Sequence, residues 1–275
     1  DSAYEEFHAF NMVLSPTMVF YRTRDTPVAL DRSDGSLAWT ASGANPSFNW
    51  RVNSHFYVTD VMLGSNNLLF VPAGHAHGAG MKALDPYTGK LVWEHHRNDE
   101  YQGGGVGMGA DAVYMQSWQG IGETHKWWLI ALDRNSGEEQ WKKEFDTNGS
   151  PTDHTGKEQP RIIKRAPLVR PDGAILTLEW SQKGGYDGLG NYVYLLRKHS
   201  ATDGTELWKR AGPHSMAFNS QGQREIVQST DHVFVQHQSD IEKVDASDGT
   251  LVWRYDESTN VIGGYNLLTI GYENE

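Results

Sequence analysis

Two sets of side chains in this sequence have the types and spacing to do chemistry. The run Gly74-His75-Ala76-His77-Gly78 sets two imidazoles two residues apart. With His125 and His237 they form a candidate site for copper or zinc, since neutral imidazole suits both ions. The competing reading is a solvated, glycine-flanked loop, because twelve histidines are spread over the chain and no carboxylate can be assigned to orient these four. The second set is aromatic: Phe48, Trp50, Tyr101, Trp118, Trp180 and Tyr186. Such rings beside Asn, Asp and Gln suit stacking on a sugar, a cofactor ring or a partner's apolar side chain, with the polar groups fixing orientation. Their other use is to pack long loops onto the scaffold that carries them.

The elements that must position these residues come from a repeat. Ala83-Leu84-Asp85-Pro86-Tyr87-Thr88-Gly89-Lys90-Leu91-Val92-Trp93 reads as a β-hairpin, with Asp85 bonding the backbone ahead of it, Gly89 taking φ > 0 and Trp93 on the second strand. Copies follow the same frame at Asp31, Gly35 and Trp39; at Asp133, Gly137 and Trp141; at Ser200, Gly204 and Trp208; and at Asp245, Gly249 and Trp253. With glycine at roughly a tenth of the chain, about one of the ten tryptophans should follow a glycine by four residues by accident, so five such cases mean a repeat. The glycines lie 54, 48, 67 and 45 residues apart, the pitch of a four-stranded blade. The expectation is an all-β propeller of four-stranded antiparallel blades, strands A to D, covering 10–41, 57–95, 105–145, 166–210 and 224–255. Residues 260–275 supply the A and B strands of a partial sixth blade. Either this is a compact six-bladed ring in one domain, 1–275, or it is part of a seven- or eight-bladed ring, and the missing sixth Trp copy favours the second.

Alternation of strands puts the A–B and C–D turns at one end of each blade and the B–C and D–A connections at the other. The first set is short and uniform. The D–A segments 42–56, 96–104, 146–165 and 211–223 are long, and so are the B–C loops 73–79, 118–125 and 181–191. Long loops on a rigid scaffold are where binding sits. Both candidate sets fall on that D–A/B–C face.

Composition excludes several classes. A net charge of −11 opposes attraction to nucleic acid and anionic lipid, and no apolar run approaches the length of a transmembrane helix. Zero cysteines remove disulfides, thiolate metal sites and cysteine nucleophiles. The glycine-rich stretch at 103–109 opens a strand rather than a helix, so it has no helix N-terminus to cradle phosphate. Asn148-Gly149-Ser150 reads as a loop tripeptide that also satisfies the N-glycosylation pattern.

The Ala-Leu-Asp-x-x-x-Gly-x-x-x-Trp repeat resembles the tryptophan-docking motif of the pyrroloquinoline-quinone (PQQ) repeat propellers, over residues 10–255. That superfamily contains quinoprotein alcohol dehydrogenases and non-enzymatic scaffold lipoproteins of outer-membrane assembly. The resemblance implies that Trp39, Trp93, Trp141, Trp208 and Trp253 are structural, packed between adjacent blades. The dehydrogenases commonly hold PQQ over a pair of adjacent cysteines and bind Ca²⁺ beside a catalytic Asp. This chain has no cysteine, and none of its residues matches those ligands, so no catalytic residue is assigned and the scaffold branch is the nearer comparison. The expected function is therefore non-catalytic binding of a protein or glycan through the long-loop face, in a secreted or periplasmic protein without a resident cofactor. The alternative is a PQQ/Ca²⁺- or copper-dependent oxidoreductase using the same face.

Overall fold

The computed structural model describes residues 12–22, 26–41, 61–72, 78–102, 106–119, 126–145, 162–163, 167–183, 191–212, 226–237 and 240–255. All regular structure among them is β. The chain divides into two units, Asp1–Phe145 with Lys164–Pro167, and Asp146–Ile163 with Leu168–Glu275.

The first unit holds three antiparallel sheets. Strands β1 (Val13–Leu14), β2 (Met18–Arg22), β3 (Pro27–Asp31) and β4 (Leu37–Thr40) pair in chain order, as do β5 (Met62–Leu63), β6 (Leu69–Pro72), β7 (Gly78–Leu84) and β8 (Leu91–Asn98). The third sheet runs β10 (Gly107–Met108), β11 (Ala112–Gln119), β12 (Lys126–Asp133) and β13 (Glu139–Glu144), with β9 (Tyr101–Gln102) pairing the far end of β11. The second unit holds two sheets. One is β15 (Leu168–Val169), β16 (Ile175–Lys183), β17 (Asn191–His199) and β18 (Glu206–Ala211), with β14 (Ile162–Ile163) also on β16; the other is β19 (Ile226–Gln228), β20 (His232–His237), β21 (Asp240–Asp245) and β22 (Leu251–Tyr255). Five up-and-down meanders match the five expected blades, while the expected partial sixth at 260–275 lies outside the described residues.

Each C–D turn is built as its sequence dictates. The Asp85 carboxylate accepts the Tyr87 and Thr88 amides at 2.9 and 2.8 Å, and Asp133 does the same for Asn135 and Ser136 at 2.9 Å each. Where Ser200 replaces Asp, its hydroxyl accepts Thr202 N–H at a longer 3.2 Å. The glycine amide then closes on the carbonyl four residues back, with φ between +67° and +79° in all five turns, a conformation that costs an L side chain about 1–2 kcal/mol.

The pairing slips by one residue after every turn, between Ala29/Leu30, Ala83/Leu84, Ala131/Leu132, Lys198/His199 and Lys243/Val244. Leu84 faces Leu91 and Ala83 faces Trp93, leaving Val92 as the extra residue of a β-bulge. Residues two apart on a strand normally share a face. The bulge sends them to opposite ones, so Leu91 is exposed while Trp93 is buried.

Buried clusters lie between successive sheets of each unit. Phe20, Ala29, Trp39, Leu69, Val71 and Leu84 join the first two sheets; Phe70, Met81, Trp93, Val113, Met115 and Trp128 join the second and third; and Leu176, Leu196, Val233 and Val244 join those of the second unit. Strands such as β6 and β12 are consequently buried on both faces and read as apolar runs rather than alternations.

Candidate functional site

Three repeat tryptophans make the same contact. Trp39 Nε1–H donates to Pro86 O at 2.8 Å, Trp93 to Arg134 O at 3.1 Å and Trp208 to Ala246 O at 3.3 Å. The acceptor is in each case the residue after the turn Asp of the next sheet. The indole lies over that turn's glycine, where an added Cβ would come within 2.7, 2.4 and 2.7 Å of the rings at Gly89, Gly137 and Gly249. Trp141 packs on Tyr114 at 5.9 Å between ring centroids, and Trp253 on Phe234 at 6.2 Å while 42% exposed.

The D–A/B–C end of the third sheet is more ordered in its pairing than loop lengths suggest. Residues 118–125 are expected to loop, yet Trp118 and Gln119 continue β11 opposite Trp127 and Lys126. Tyr101, expected in a D–A loop, lies in β9 at the register position opposite Trp118. The signal missed is pairing itself, because one-strand patterns do not reveal where a hairpin's two arms stop matching. The Trp118 and Trp127 rings stack, with centroids 5.7 Å apart and planes inclined by 28°. Trp118 is half-buried, Trp127 only 5% exposed. Two residues inward on the same face, Gln116 is completely buried, and neither of its amide atoms, nor Trp127 Nε1, has a hydrogen-bond partner.

The opposite face of β11 carries charge. Glu100, buried just past β8, accepts Ser117 Oγ–H at 2.5 Å and Lys142 Nζ–H at 2.7 Å and pairs with Arg97 Nε at 2.8 Å. Arg97 also binds Glu139, and Lys142 lies 3.8 Å from the centroid of the Trp128 ring. Burial alone would raise the Glu100 carboxyl, but the bonds from Lys142, Ser117 and Arg97 outweigh it and hold it below the ordinary glutamate value. Each member has an ionic or hydrogen-bonding partner, which marks a structural tether of β8 to β11 and β13.

In the second unit Trp180 lies within β16, which runs on from the expected strand end at Trp180 to Lys183, and sits opposite Tyr194 of β17 and Ile162 of β14. Counting five positions from Val113↔Leu132 reaches Trp118↔Trp127, and five from Ile175↔His199 reaches Trp180↔Tyr194. The two sheets thus repeat one cross-strand aromatic pair at the same level. Trp127 and Tyr194 are the members that strand patterning did not single out for the face.

His237 ends β20 opposite Asp240. Phe48, Trp50, Tyr186, His75, His77 and His125 lie outside the described residues. Among the described residues no group of three or more His, Asp or Glu is placed to hold a metal ion. A different histidine is structurally engaged: buried His199 sets Nε2 3.1 Å from Thr177 Oγ1 and Nδ1 3.3 Å from Gly204 O, with burial as the main cause lowering its pKa to about 4.

Up-and-down four-stranded meanders, joined through a tryptophan that caps the next turn, define a β-propeller of the PQQ-repeat type. The chain belongs to the family described as outer membrane protein assembly factor BamB, whose profile matches residues 12–154 and 78–263. Among solved structures it is similar to BamB from Moraxella catarrhalis, with 14% identity and a TM-score of 0.55 over 89% of this chain and 63% of that one. It also matches the N-terminal domain of Nup159 at 9% identity and TM-score 0.45, over 86% of this chain and 60% of that one. A third match is apo AztD from Citrobacter koseri, at 9% and 0.37, over 89% and 71%. Thus the chain spans under two-thirds of the length of that BamB. Curated protein sequences give no match.

Proposed function

We propose that this chain is a non-catalytic propeller module that binds its partner through the D–A/B–C ends of its blades. The observation that carries this is the repeated aromatic pair, Trp118 with Trp127 and Trp180 with Tyr194, at the B–C end of two sheets. Three C–D turns, by contrast, are occupied in holding the preceding tryptophan. Membership in a family described as an assembly factor for outer-membrane proteins supports a protein partner and a periplasmic or secreted location, and the stacked indoles also suit a glycan. In this reading Trp39, Trp93, Trp141, Trp208 and Trp253 serve as clamps between blades. The PQQ/Ca²⁺ or copper alternative would use the same face; the chain has no cysteine pair to hold PQQ, and His75, His77 and His125 lie outside the described residues.

Photo-crosslinking tests the placement. A crosslinking residue at 118 or 180 should capture a partner that one at exposed Tyr87, on a C–D turn, does not. Equal capture from Tyr87, or none from either tryptophan position, would reject the face.

A further inference from the structure

We infer that the B–C end of the third sheet is a subsite for a neutral, hydroxyl-rich ligand, a segment of oligosaccharide. It would stack on Trp118 and hydrogen-bond to the Gln116 carboxamide and the Trp127 indole N–H. This rests on the reading of the B–C ends as the binding face and deepens it.

Gln116 and Trp118 alternate on one face of β11, and Trp127 stands directly opposite Trp118. A completely buried carboxamide with neither atom bonded, beside a buried indole N–H equally unbonded, is costly. Each such group forfeits about 1–3 kcal/mol, and natural cores hold few of them. Three unmet hydrogen-bonding atoms on one face, at ladder positions two residues apart, next to an indole that keeps part of its surface open, point to a bound group that supplies the missing partners.

The chemistry of the three groups selects the class. The carboxamide both donates and accepts, the indole only donates, and none is charged. Charged Glu100, Arg97, Lys142 and Glu139 pair with one another and with Ser117, whose side chain lies on the other face of β11. Vicinal hydroxyls of a pyranose donate and accept at the spacing of a carboxamide, and the C–H face of the ring stacks on an indole. An extended peptide is the weaker fit. Sheets capture peptides along free backbone edges, whereas β11 is paired on both sides, by β12 and by β9 and β10.

Titration with maltotriose, cellotriose, triacetylchitotriose and a neutral Gly/Ser/Thr hexapeptide, followed by calorimetry and tryptophan emission, tests this. At least one sugar should bind and perturb the emission. Gln116→Met, of similar volume, should weaken that binding about tenfold or more while leaving Tm equal or higher, because it removes an unpaired amide. Trp118→Phe should weaken it less than Trp118→Ala. No sugar binding up to about 10 mM, where the free energy is only about 3 kcal/mol, overturns the subsite. So does undiminished binding by Gln116→Met, or binding of the peptide alone. Failure here, with crosslinking at 118 and 180 still capturing a protein, removes the sugar ligand and leaves the binding face standing. Sugar binding without protein capture does the reverse.

Discussion

Gly35 and Gly137 occupy the same place in their turns, at φ +74° and +75°, but only Gly137 lies under an indole. Alanine at Gly35 meets nothing within 4 Å, so it should cost only the left-handed backbone penalty, about 1–2 kcal/mol. Alanine at Gly137 would put its Cβ 2.4 Å from the Trp93 ring and must also displace the clamp, with overpacking adding about 1–3 kcal/mol. Urea melts of the two variants should therefore separate, with Gly137→Ala the less stable. Equal losses would mean that the indole contributes nothing through this contact. The glycine and tryptophan spacing was legible in the sequence because both residues are rare enough to count. The indole's acceptor was not, since a backbone carbonyl such as Pro86 O carries no side-chain signature.

At the scale of strands, two devices escape a one-strand reading. The bulge before each tryptophan is a property of two paired strands, and nothing in Leu91-Val92-Trp93 alone says that Val92 is the extra residue. The lengthening of β11 to Gln119 and β16 to Lys183, and the addition of β9 and β14, likewise depend on partners distant in sequence. Those extensions turned expected loop aromatics into strand residues and created the Trp118–Trp127 stack. The Glu100 tether is the third such device. Glu100→Gln should destabilise the first unit by about 3 kcal/mol, because it leaves Lys142 and Arg97 partly buried without their carboxylate. A double-mutant cycle with Lys142→Met should return a coupling energy of about 1–3 kcal/mol. Additive losses would show that Ser117 and Arg97 hold Glu100 without help from Lys142.

Over the whole molecule, acid should act through groups that the folded chain keeps in an unfavourable state for protonation. His199 sits where the other repeats carry Leu30, Leu84, Leu132 and Val244, inside the core of its sheet, with a folded pKa of about 4 against an ordinary 6.5. The unfolded chain therefore binds the extra proton first, and stability is complete above pH 6.5 and declines as the pH falls from there toward 4. The integrated loss is about 3 kcal/mol, of which about 1 kcal/mol is gone by pH 5.5. His95 in the first unit is lowered too, burial being the leading cause, and adds to the same limb. Glu100 acts in the same direction but later: its folded pKa is depressed below 4.5, so its contribution is present above that value and is lost only as the pH falls through the folded one. Among these three groups, His199 and His95 set the slope between pH 6.5 and 5.5. His199→Leu, which restores the residue of the other repeats, should flatten the decline between pH 7 and 5.5 by about 1 kcal/mol in chemical melts of the second unit's transition, while Glu100→Gln should leave that interval unchanged. A wild-type slope surviving in His199→Leu would place the acid sensitivity elsewhere.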